Sequence, residues 1–142
     1  VFSSPPYFNV ERYSYDDTQS WVRYKNIDAW NKLFLHKTIA NVWPTLKKGG
    51  ILAINIADVY AASKGDGKGY KEICNPMNDF IATLGAEYEG CLGMEMAKRP
   101  GSAGANSIIE GDEGRYTEEA LEKAREAADK TFCEPVWIWK KL

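Results

Sequence analysis

The sequence predicts an α/β fold: an open, mostly parallel sheet whose last strand returns antiparallel, with helices on its faces. Three observations carry this. Strand-like and helix-like stretches alternate along the chain, as in sheets whose parallel strands are joined by helical crossovers. The stretch "ILAINIAD" (51–58) is almost continuously apolar and rich in isoleucine, as expected of a strand buried on both faces. The last stretch, "EPVWIWKK" (134–141), follows without a full crossover, so it is expected to run antiparallel.

Residues 1–4 read as the end of a buried strand, halted by Pro5-Pro6, which can neither continue a helix nor pair fully in a sheet. Residues 9–26 are polar and aromatic without clean periodicity and read as a loop with short helical pieces. A helix is expected over about 27–46, because Ile27, Trp30, Leu33, Phe34, Val42, Trp43 and Leu46 recur at three- and four-residue steps. Pro44 should tighten its last turns, and Gly49-Gly50 should stop it. After the strand at 51–58, the glycine-rich stretch 61–69 reads as a loop. Asn75-Pro76 resembles a cap followed by proline in the first helical turn, opening a helix through Met77, Phe80, Ile81 and Leu84 that ends at Gly85. A strand over 87–97 precedes an insertion, 98–133, made of a loop and a polar helix capped by Thr117. Trp21, Trp30 and Trp43 are expected in the core, and Trp137 and Trp139, two residues apart, on one face of the final strand.

At 142 residues the chain is expected to form a single domain spanning 1–142. The net charge of −2 excludes a protein coated in positive charge for non-specific nucleic-acid binding, while leaving room for a local basic cleft. Three scattered cysteines and one histidine suit neither a metal site nor a disulfide framework. They read as buried or half-buried thiols of a reducing compartment. No apolar run approaches the roughly 20 residues that span a bilayer, and no signal peptide is recognised, so no membrane partner and a cytoplasmic location are expected.

The residues that carry chemistry lie at the start. Ser4-Pro5-Pro6-Tyr7, at the end of a strand, resembles the (Asp/Asn/Ser)-Pro-Pro-(Tyr/Phe) signature of the S-adenosylmethionine-dependent DNA amino-methyltransferases. "WPTLKKGGILAINIAD" (43–58) is similar to that family's helix end, turn and following strand, and "EPVWIWKK" to its closing strand. The resemblance implies a partial Rossmann-like sheet, S-adenosylmethionine as cofactor, and DNA as partner. It also implies methyl transfer to the exocyclic amino group of cytosine or adenine, as in restriction-modification systems. Serine in the first position leans toward cytosine. Such an amine is a poor nucleophile, and two oxygens, each accepting one N–H, can turn it toward the donor. By the resemblance, Ser4 Oγ and the Pro5 carbonyl are those acceptors, Pro6 fixes the backbone, and Tyr7 offers a stacking face for a flipped-out base. Phe8, Asn9, Arg23, Asn55, Asp58, Lys98 and Arg99 are further candidates for substrate contact, several of them following strand ends, where α/β sheets bind ligands.

The family's glycine-rich donor motif is absent, and four strands are counted where a full methyltransferase sheet has about seven. The chain is therefore expected to be the carboxyl-terminal half of a catalytic domain, completed by the missing half or by a second copy. No donor-binding residue is assigned. Two other functions stay open: a non-catalytic fragment serving as an interaction or DNA-docking module, and methylation of glutamine or RNA, as by related Asn-Pro-Pro-Tyr enzymes.

Overall fold

The computed structural model describes residues 1–61, 69–96 and 132–142. The chain divides into two units, Val1–Gly93 with Pro135–Leu142, and Met94–Glu134. Within the described residues, the second unit holds only the far end of one strand and the start of another. The first unit carries the core and the site discussed below.

Its elements run in the order β1 (Phe2–Ser3), α1 (Ser20–Arg23), α2 (Ile27–Trp30), α3 (His36–Val42), β2 (Ile51–Asn55), β3 (Val59–Ala61), β4 (Gly69–Lys71), α4 (Cys74–Ala82), β5 (Ala86–Met96) and β6 (Phe132–Lys141). The fold is α/β, with an open, mixed four-stranded sheet in the order β1-β2-β6-β5. β1 pairs parallel with β2, and β2 pairs antiparallel with β6, so the final strand returns as expected. Among the described residues the β1–β2 ladder is the only parallel pairing, so the sheet is mixed rather than mostly parallel as expected.

β1 is shorter and more open than a buried strand. Phe2 is 61% exposed, because β1 lies at the sheet edge. β2 is better covered, with Leu52, Ile54 and Asn55 all buried. The loop expected over 61–69 is bracketed by the two antiparallel strands of a hairpin, in which Val59 pairs with Lys71 and Ala61 with Gly69, and residues 62–68 between them lie outside those described.

The helix over 27–45 is present but does not keep one phase. Asn31–Leu35 forms a π-turn between α2 and α3, and Trp43–Thr45 tightens into a 3-10 turn at Pro44. The π-turn carries one residue more than an α-turn, which shifts the apolar face. The buried apolar residues are therefore Trp30, Leu35, Ile39, Trp43 and Leu46, while Leu33 is 51% exposed. Lys141 in β6 donates from Nζ to the carbonyls of Trp43 (3.0 Å) and Leu46 (2.9 Å). It thus satisfies the end of the helix with a cation, where the dipole favours one.

α4 also starts differently from its local sequence signal. Its first turn is capped by Asp58, whose Oδ1 accepts from the backbone N–H of Ile73 (2.6 Å) and Cys74 (2.8 Å). Asn75 instead donates to the Glu72 carboxylate at 2.6 Å. The core joins both helical segments to the sheet through Trp30, Leu35, Ile39, Leu52, Ile56, Met77, Ile81 and Trp139. Trp137 and Trp139 share a face as expected. Trp137 donates to the Ile56 carbonyl at 3.0 Å and Trp139 to Asn78 of α4 at 2.9 Å. Trp21 lies outside the core, its indole donating to the Ser14 carbonyl (3.2 Å) beneath the Arg12 guanidinium. Of the cysteines, Cys74 is buried, but Cys91 and Cys133 are exposed, contrary to expectation.

Candidate active site

The register of the parallel ladder builds this site. Ser3 lies opposite Ile54, so the next residues, Ser4 and Asn55, come level where both strands end. That rim, beyond the carboxyl ends of parallel strands, is where open α/β sheets hold ligands. Ser4 Oγ donates to Asn55 Oδ1 at 3.0 Å, and the Tyr7 hydroxyl donates to the same oxygen at 3.4 Å. Asn55 Nδ2 donates across the sheet to the Pro135 carbonyl at 3.0 Å. Ser4 is exposed, Pro5 buried, and Pro6 and Tyr7 half-buried. The motif therefore presents its hydroxyl while rooting one proline in the protein.

The chain after the motif turns sharply. Phe8 N–H donates to the Pro6 carbonyl (3.1 Å) and Val10 N–H to the Tyr7 carbonyl (2.9 Å). Glu11 braces the turn by accepting from Tyr7 N–H at 3.1 Å. Phe8 sits at φ 44°, a left-handed conformation unfavourable for a residue with a side chain. Its ring is 0% exposed and packs edge-on against Trp30, with centroids 5.9 Å apart. The core contact holds the turn in this conformation. Phe8 was expected among the substrate contacts, but its ring faces the core and anchors the loop.

The other candidates are dispersed. Asn9 accepts from Arg12 Nε through its carbonyl at 3.0 Å. Arg23 is exposed at the end of α1. Asp58 is engaged as the cap of α4, and its Oδ2 accepts from the Tyr70 hydroxyl at 2.5 Å. Burial pushes its carboxyl up, but the Tyr70 hydroxyl and the N–H groups of Cys74 and Ile73 outweigh this and hold it below its ordinary value. The same bond to Asp58 pushes the Tyr70 phenol up to about 12. Burial first, then the charge of Asp58, pushes the Cys74 thiol up to about 12, which makes it a packing residue rather than a nucleophile. Lys98, Arg99 and most of the 98–133 insertion lie outside the described residues.

Sequence reasoning missed Glu11, Tyr70 and the Pro135 carbonyl. No local signal marks the last two, because each meets its partner only through tertiary pairing. A separate cavity of about 480 Å³ opens between the α2–α3 helix and α4, lined by residues that include Asn31, His36, Ala40 and Phe80. None of its lining residues belongs to the Ser4–Tyr7 loop.

The described glycines precede β2, begin β4, stand in the α4–β5 turn or lie within β5. None follows the carboxyl end of β1 or β2, so they do not fit a donor-binding loop there, and no residue of this chain is assigned to a methyl donor. Among the described residues, no group of three or more His, Cys, Asp or Glu side chains could hold a metal ion. No helix among them is long and apolar enough to cross a membrane. Comparison with protein-family models, curated proteins and solved structures finds no match.

Proposed function

We propose that this chain forms the amine-holding part of an S-adenosylmethionine-dependent methyltransferase acting on the exocyclic amino group of cytosine or adenine in DNA. The observation that carries the proposal is the Ser4–Asn55 pair beside Tyr7, at the paired ends of parallel strands. Fold and motif support the same reading, with the sheet as part of a larger Rossmann-like one. S-adenosylmethionine, when bound, supplies an electrophilic methyl group. The work of this chain's own residues is to grip the amine. Ser4 Oγ and the Pro5 carbonyl accept its two N–H bonds, and the Tyr7 ring lies against the flipped base. Such pre-set polar groups gain strength where water is excluded.

The test is methyl incorporation into DNA by the complete enzyme, this chain joined by its missing half or by a second copy, with N4-methylcytosine and N6-methyladenine separated by mass spectrometry, alongside calorimetric titration with S-adenosylmethionine. Ser4→Ala and Tyr7→Ala are expected to lower turnover about 100-fold or more with donor binding nearly unchanged. Tyr7→Ala should also weaken DNA binding by about 1–3 kcal/mol, the worth of one stacked base. Unchanged turnover in both variants removes the proposed site. DNA binding with no methyl transfer favours the non-catalytic docking module instead.

A further inference from the structure

We infer that Asn55 is a positioning residue that makes Ser4 a hydrogen-bond acceptor toward the ligand, and so sets the site's preference for an amino over a keto group. The inference rests on the reading of the site just given.

The argument begins with the orientation of the Asn55 amide. The Pro135 carbonyl can only accept, so the atom facing it at 3.0 Å must be the amide nitrogen. The amide oxygen then faces Ser4 and Tyr7, at 3.0 and 3.4 Å. That oxygen can only accept, so the Ser4 hydroxyl must spend its one proton on Asn55. What remains on Ser4 Oγ is lone-pair density, and Ser4 is exposed.

A serine hydroxyl left to rotate would donate to a keto oxygen as readily as it accepts from an amine. Held by Asn55, Ser4 cannot donate outward. A keto group placed there would set oxygen against oxygen, whereas an amino group supplies the N–H that Ser4 lacks. Asn55 cannot easily rearrange to relieve the mismatch. It is 1% exposed, its oxygen already accepts two bonds, and its nitrogen is tied to β6. It therefore acts on the ligand through Ser4 rather than by contact.

The test compares binding of the full chain to short single-stranded oligonucleotides that exchange the amino group for a keto group, together with the proton on the neighbouring ring nitrogen: deoxycytidine against deoxyuridine, and deoxyadenosine against deoxyinosine. The wild-type chain is expected to bind the amino member of each pair about tenfold more tightly, the typical effect of one unmatched polar contact. Asn55→Leu frees the Ser4 hydroxyl and should bring that ratio to about twofold or less. A purely structural role for Asn55 would weaken both members of a pair equally and leave the ratio unmoved. Should the leucine variant not fold, NMR of the wild-type chain decides. A Ser4 hydroxyl proton in slow exchange and in contact with the Asn55 side chain supports the inference, and one averaging over its rotamers overturns it. A folded Asn55→Leu chain that keeps the full preference overturns the role of Asn55 while leaving the site intact. Equal binding of all four oligonucleotides by the wild-type chain overturns both. An amino preference that depends on Asn55, without methyl transfer to DNA, supports the inference and sinks the transferase reading alone.

Discussion

Replacing Phe8 by alanine and, separately, by glycine tests whether the turn behind Tyr7 is held in a strained conformation by the core. The ring is 0% exposed and lies edge-on to Trp30, so Phe8→Ala should cost about 3–5 kcal/mol, the usual range for a buried phenylalanine. The backbone supplies the second part. At φ 44°, a side chain costs about 1–2 kcal/mol relative to glycine. Glycine in ordinary backbone instead trails alanine by about 0.5–1 kcal/mol, because it loses more freedom on folding. The two effects oppose one another, and the first is larger. Phe8→Gly should therefore match Phe8→Ala or exceed it in stability by up to about 1.5 kcal/mol, reversing their ordinary order. Urea unfolding followed by tryptophan fluorescence measures both. If Phe8→Ala costs under about 1 kcal/mol, the ring is not a core anchor. If glycine proves the worse of the two by about 0.5 kcal/mol or more, the turn does not use the left-handed conformation.

Two further outcomes concern the supports of the site. The Asp58 carboxyl has a lower pKa in the fold than its ordinary value of 3.8. Its stabilisation is therefore complete above that value and is lost as the pH falls through it toward the lower folded one. Asp58→Asn should flatten this acid limb in urea midpoints measured between about pH 5 and about pH 3, and identical limbs would refute the assignment. Asp58→Ala should cost about 0.5–2 kcal/mol at neutral pH through the lost cap. Lys141→Met keeps the aliphatic stem but removes the cation from the Trp43 and Leu46 carbonyls. A loss of about 1–3 kcal/mol is expected by urea unfolding, and no measurable change would mean that water serves these carbonyls equally well.

Where a local rule governs, the sequence was informative. Two tryptophans at spacing two predicted their common face, and Pro44 predicted the tightened helix end. Where pairing at a distance governs, it was not. Asn75-Pro76 is a sound local cap signal, yet Asp58 takes the role from 16 positions before Cys74, because the hairpin brings its carboxylate to the first free N–H groups. The run Leu33-Phe34-Leu35 is apolar at every position, so either helical phase satisfies it. Only packing selected the π-turn that buries Leu35 and exposes Leu33. Phe8 directly follows the motif, and nothing in its identity distinguishes a ring turned inward from one turned toward a ligand. Ser4 and Asn55 could each be placed near a strand end, but their meeting depends on a register that a two-residue ladder leaves unmarked in the sequence.

The position of β6 bears on how such a chain acquires its native state. β6 follows the other three strands in sequence yet lies between β2 and β5. During synthesis, therefore, β2 and β5 emerge with their facing edges open, and the strand that fills the gap is made after both. Until it inserts, Asn55 lacks the Pro135 carbonyl that orients it, and the helix end lacks Lys141. Ribosome-bound intermediates would carry the Ser-Pro-Pro-Tyr loop without an ordered acceptor, and two unprotected sheet edges open to pairing with other chains. Closure depends on contacts distant in sequence, which form slowly. Competence at the rim thus waits on the last strand made, and chaperone demand should concentrate in the interval before β6 is seated.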